Sequence, residues 1–193
     1  MSQSMVTPNR VEEAGWGSLE LFKIEPDVSV LQTLLTDLFA NHWDQILFGP
    51  LIQGAAWEIK APEAPKRISM RDGYLTVDLG TWHFHLCIGE HKGTPQHPTP
   101  PELARHRRTS RAELFRQINS DGTPNSWGLR LFNGHHEQQI TIFFPNPFLS
   151  DEMQFLKEPD WSRLALWDEV RKTYLGLEPD GYDRSGKRMI HGV

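Results

Sequence analysis

From Trp82 to Ile88, large apolar and polar side chains alternate without a break, and this period constrains the chain more than any other feature. Read as a β-strand, it sends Trp82, Phe84, Leu86 and Ile88 to one face and His83, His85 and Cys87 to the other. One face is wholly apolar and needs a covering layer. The opposite face carries two imidazoles and the only thiol of the chain.

The covering layer is predicted nearby. Val28, Leu31, Leu34, Leu35, Leu38, Phe39, Trp43 and Ile46 recur at helical spacing behind the capping residue Asp27, with Gly49 as the stop, so a helix is expected over about 28–47. Short strands are expected at Leu19–Ile24 and around Ala55–Ile59. Arg67–Arg71 and Tyr74–Asp78 flank Asp72-Gly73, a two-residue hairpin turn. The second arm is expected to run on into the histidine segment, with a bulge at Gly80-Thr81 restoring the parity of its apolar residues. Pro101–His106 and Ala112–Ile118 read as helix, the latter opened by Ser110 with Glu113 in capping-box register. A second hairpin turns at Asn133-Gly134. A short helix is expected at Ser150–Leu156, and another over about 161–175, capped by Asp160 and closed by Gly176.

The expected fold is therefore α+β. A largely antiparallel sheet built from two β-hairpin segments packs with helices at about 28–47, 101–118 and 161–175. One domain is expected over residues 1–193, with 1–18 as an N-terminal arm and 177–193 as an extended C-terminal tail.

Composition narrows the class of function. The chain has 193 residues, 38% of them hydrophobic and 23% charged, as in an ordinary globular protein. A net charge of -5 argues against a nucleic-acid partner. No apolar run approaches the ~20 residues that span a bilayer, and the amino terminus has no charged region followed by an apolar stretch, so neither a membrane nor a secretory signal is expected. The single cysteine excludes an intrachain disulfide and points to a cytoplasmic location.

Imidazoles two residues apart on one strand face emerge in parallel about 7 Å apart and can chelate one ion. Thiol, carboxylate and three imidazoles fall between His83 and His91, so His83 and His85 are expected core ligands. Cys87, Glu90, His91, His135 or His136 would complete the shell. Iron and zinc suit such donors. The competing reading makes His83 and His85 half-buried histidines satisfied by ordinary hydrogen bonds and Cys87 a small core filler. A thiolate role for Cys87 ranks below metal binding, because a rigid strand is an unusual seat for a nucleophile.

A positive cluster supplies the second ingredient. Lys92, Arg105, Arg107, Arg108, Arg111 and Arg116 face only Glu102 and Glu113 over the same stretch. Guanidinium forks bind carboxylate or phosphate, so Arg107, Arg108 and Arg111 are candidate anion-binding residues. Nucleophile-elbow, phosphate-loop and dinucleotide-binding glycine patterns are absent from the sequence.

His83-x-His85 followed by Glu90 is similar in outline to the first metal motif of the cupins, in which two His and a Glu hold iron, manganese or nickel. The resemblance covers about ten residues, has no second motif, and sits in a chain too helical for a compact β-barrel, so membership does not follow. The leading expectation is a metal-binding α+β protein, in its sharper form a mononuclear metal-dependent enzyme acting on a small anionic substrate. The alternatives are a non-catalytic haem- or metal-binding protein, or a structural interaction domain; homo-oligomerisation is open to all three.

Overall fold

The computed structural model describes residues 7–52 and 54–187. Eleven strands and three α-helices lie among them: β1 Asn9–Glu13, β2 Gly17–Ile24, α1 Val28–Asn41, β3 Leu47–Gly49, β4 Leu51–Ile52, β5 Ala55–Ala56, β6 Arg67–Arg71, β7 Tyr74–Asp78, β8 His83–Cys87, α2 Pro101–Arg107, β9 Thr109–Ile118, β10 Pro124–Asn133, β11 Gln138–Phe143 and α3 Ala165–Leu175. The fold is α+β with mostly antiparallel sheets, as the sequence predicts. No helix is long and apolar enough to cross a membrane.

Packing divides the chain into two units, whose boundaries fall inside β9 and β10 and at the end of β11. The first holds residues 1–24, 113–129 and 143–193. Its strands follow the order β1-β2-β9-β10. Within the segment expected to be an arm, Asn9–Glu13 form β1, which pairs antiparallel with β2, and residues 1–6 lie outside the described residues. Leu19, Leu21 and Phe115 make a core cluster, with Val11, Trp16 and Phe143 against it. Trp167 of α3 meets Phe22 and Phe144. The Asp160 carboxylate accepts from Ser162 N–H, opening a 3-10 turn at Trp161–Leu164 that leads into α3. Gly176 closes α3 in the left-handed conformation, φ 66°. Part of the expected tail is also folded. A 3-10 turn at Gly181–Arg184 carries Asp183, which is 0% exposed; residues 188–193 of the expected tail lie outside the described residues. The expected helix at Ser150–Leu156 is instead a turn, with Ser150 N–H donating to the Gln154 carbonyl and a bridge between Leu149 and Phe155.

The second unit holds residues 25–112 and 130–142. Helix α1 starts where expected, with Asp27 Oδ1 accepting from Ser29 N–H at 2.8 Å and Val30 N–H at 3.3 Å. It ends at Asn41, six residues early. Gly49 is therefore no helix stop. It lies in β3, where a Cβ would collide with the Trp57 carbonyl. Phe48 exchanges backbone bonds with Ile59. Helix α1 buries Leu31, Leu34, Leu35, Leu38 and Phe39, and Phe39 packs edge-on against both Phe48 and Phe84.

Two expectations about strands fail for instructive reasons. Strands β7 and β8 are not one bulged strand but an antiparallel pair. Gly80 at φ 90° reverses the chain, held by Asp78 Oδ1 accepting from Gly80 N–H and by Leu79 N–H donating to the Trp82 carbonyl. Ala112–Ile118 is not helix but part of β9. Six of its seven residues are buried, including Glu113 and Arg116. A strand covered on both faces loses its period-2 signature, and its apolar run then mimics a helix.

Candidate functional site

The hairpin over Asp72-Gly73 forms as predicted, with Asp72 at φ 46° and Gly73 at φ 82°. Together with β8 it makes a three-stranded sheet in the order β6-β7-β8. Register then fixes both faces. Ile68, Val77 and Phe84 lie in one row and Met70, Leu75 and Leu86 in another, giving the apolar face that Phe39 meets. The other face is polar, with rows Arg67–Asp78–His83, Ser69–Thr76–His85 and Arg71–Tyr74–Cys87.

On that face the His83 and His85 rings lie 5.0 Å apart, inclined by 69°. Thr76 Oγ1 lies 2.7 Å from His85 Nδ1 and fixes that ring. Cys87 is buried, and its thiol donates to the Gly89 carbonyl at 3.5 Å. Burial pushes the Cys87 thiol above its ordinary value, against the lowering effect of the Tyr74 hydroxyl and Arg107, so it remains protonated at neutral pH. A thiolate nucleophile is not favoured there.

His91 follows β8 and folds back beside the hairpin turn. Its Nδ1 is 3.1 Å from Arg107 Nη1 and 3.1 Å from Thr99 Oγ1. A guanidinium can only donate, so Nδ1 accepts and the ring proton sits on Nε2, 3.3 Å from Asp72 Oδ2. Both ring nitrogens are thus committed. Asp72 also accepts from the backbone N–H of Lys92 at 2.8 Å and of Gly93 at 3.0 Å. The Lys92 bond is the largest influence on its carboxyl, which is held below the usual range.

The remaining expected ligands go elsewhere. Glu90 is exposed. The β10–β11 connection is not a two-residue turn at Asn133-Gly134 but a four-residue one, Gly134–Glu137. Asn133 N–H donates to the Glu137 carbonyl, and His136 takes the left-handed conformation at φ 63°. Gly134 is required for close approach, since a Cβ would strike the Arg105 carbonyl of α2. His135 stacks on His106 at 3.7 Å, and His106 Nε2 meets Glu137 Oε2 at 2.8 Å. Among the described residues no group of three or more His, Cys, Asp or Glu is placed to hold a metal ion.

The three candidate arginines also diverge. Arg107 holds His91. Arg108 ends α2 in extended conformation. Arg111 lies on β9, stacked over the Phe132 ring at 3.6 Å from its centroid.

What converges is a cleft of about 300 Å³ on the polar face, lined by Arg71, Asp72, Tyr74, Thr76, His85 and His91. Arg71, Tyr74 and Thr76 escape the sequence reading. Their signal was present in the alternation Tyr74, Thr76, Asp78 along β7, and became legible only with the chain reversal at Gly80. A second cleft of about 520 Å³ lies between α2 and the Gly134–Glu137 turn.

Fold and site together define an α+β protein whose three-stranded sheet turns one face to the core and offers the other as a polar cleft. Residues 8–176 match the model of DUF7676, a family of unknown function, and the chain belongs to that family. No curated protein matches it.

Proposed function

We propose that this protein binds a small anionic molecule in the cleft on the polar face of β6–β8. The observation that carries this reading is the convergence of the Arg71 guanidinium, the Tyr74 and Thr76 hydroxyls and the His85 imidazole around one cleft. The Asp72 carboxylate on the same lining is already engaged by two backbone N–H groups and His91. An incoming carboxylate or phosphate would meet Arg71 and His85 as its charged or chargeable donors, with Tyr74 and Thr76 setting its orientation. Each charge-assisted bond contributes about 1.5–3 kcal/mol, equivalent to roughly 10- to 100-fold in affinity.

Calorimetric titration with inorganic phosphate and with short mono- and dicarboxylates tests this. Binding by at least one of them, weakened at least ~10-fold in Arg71→Ala and in His85→Ala and unaltered in His42→Ala, is expected. Unchanged affinity in both cleft variants, or no binding by the panel at millimolar concentration, would overturn it.

A metal reading keeps one observation in its favour: adjacent His83 and His85 rings, with His85 Nδ1 held by Thr76 as an outer partner would hold a ligand. Two imidazoles supply half of a four-coordinate shell, and for that reason the anion reading stands first. Iron or zinc retained by the wild type and lost in both His83→Ala and His85→Ala would reverse the order. A cytoplasmic location is proposed with the function, supported by the single buried thiol.

A further inference from the structure

The second cleft has a chemistry of its own. Helix α2 and the Gly134–Glu137 turn are clamped together: Gly134 N–H donates to the His106 carbonyl at 2.9 Å, and Ser110 Oγ donates to the Asn133 carbonyl at 2.6 Å. Asn133 Oδ1 accepts from the N–H of His135 and of Glu137, and Asn133 Nδ2 donates to Glu137 Oε2 at 2.7 Å. These bonds hold the His106 and His135 rings parallel within 7° at 3.7 Å. Glu137 lies against His106, which leaves His135 as the outer ring of the stack.

His135 is exposed and lines the cleft, with Arg105 and Arg108 on the same wall system. Neither arginine has a carboxylate within ion-pair distance among the described residues, although Asp27 lies close enough to Arg108 to feel its charge. Glu102 lines the same space and offers an acceptor. A flat heteroaromatic surface beside two uncommitted guanidinium forks matches a ligand that joins a planar ring to a phosphate. The volume, about 520 Å³, falls in the range of small-molecule sites.

We propose that this cleft binds a nucleotide, its base stacked on the outer face of His135 and its phosphate held by Arg105 and Arg108. The site is independent of the one on β6–β8.

Calorimetry with adenosine 5′-monophosphate, ribose 5-phosphate and adenosine tests it. The nucleotide should bind about tenfold tighter than ribose 5-phosphate, the stacking contribution. His135→Leu should abolish that preference and leave ribose 5-phosphate binding as it was. Arg105→Gln and Arg108→Gln should each weaken both phosphate ligands by about tenfold, while His85→Ala changes none of them. Equal affinity for nucleotide and ribose 5-phosphate, a preference that survives His135→Leu, or no nucleotide binding at millimolar concentration would each overturn the proposal.

Discussion

Asp183 accepts four side-chain hydrogen bonds in the first unit. Its Oδ1 accepts from Arg116 Nη1 at 3.0 Å and Trp127 Nε1 at 2.8 Å, and its Oδ2 from Trp167 Nε1 at 2.9 Å and Arg171 Nη1 at 2.8 Å. Arg116 is further paired with Glu20 and Asp180. Asp183, Arg116 and Arg171 are all buried, and each tolerates burial because an opposite charge lies against it. Asp183→Leu strands the Arg171 guanidinium and two indole N–H groups and takes one of three carboxylates from Arg116, and is expected to cost about 3–5 kcal/mol in urea unfolding followed by tryptophan fluorescence. A loss below about 1 kcal/mol would show that the network is dispensable. None of this was legible in the sequence, where Asp180 and Asp183 fall in the expected extended tail. The long-range partners Arg116, Trp127, Trp167 and Arg171 carry no local mark of what they bind. Gly134 makes the same point at smaller scale: it reads as half of a tight turn, yet its role is contact with α2. Gly134→Ala should cost about 1–3 kcal/mol by the same assay, as overpacking does.

Elements were legible where their own period and caps decide them. Helix α1 and α3 begin at Asp27 and behind Asp160, and the Asp72-Gly73 hairpin forms in its expected register, because each rests on short-range hydrogen bonds. Elements decided by tertiary burial were misread, above all β9, and the continuation of β7 into β8 hid a reversal that one glycine makes. Leu35 is fully buried on the core face of α1; Leu35→Ala should cost about 2–5 kcal/mol, read by urea denaturation. Carboxylates that accept backbone N–H groups also set an acid limb. Asp27, Asp72 and Asp160 are all held below their ordinary 3.8, the first and third chiefly by a serine hydroxyl and Asp72 by the Lys92 N–H. A lowered folded value means these groups stabilise the fold above their unfolded value and lose that contribution as pH falls through the folded one. Melting temperature should therefore drop as pH falls below about 4, and Asp72→Asn should shallow the drop. A slope identical to wild type would contradict the assignment.

For the whole molecule, the α+β class followed from patterning alone, while the site followed only in part. The strand His83–Cys87 and its two faces were visible in the alternation. The groups that share its polar face, Arg71, Tyr74 and Thr76, come from the β6–β7 hairpin, whose second arm was expected to run on into the histidine strand rather than to pair with it. His91 was expected as a ligand and instead is a bonded support, because Arg107 and Asp72 reach it from distant positions. The measurement that bears most directly on the account is a titration of histidine-labelled protein with the tightest anion of the panel, followed by ring 13C and 15N shifts. The His85 signals should move in a saturable manner, while those of His42 and His97 stay in place. A saturating anion that leaves the His85 ring unperturbed would contradict the placement of the ligand on this sheet.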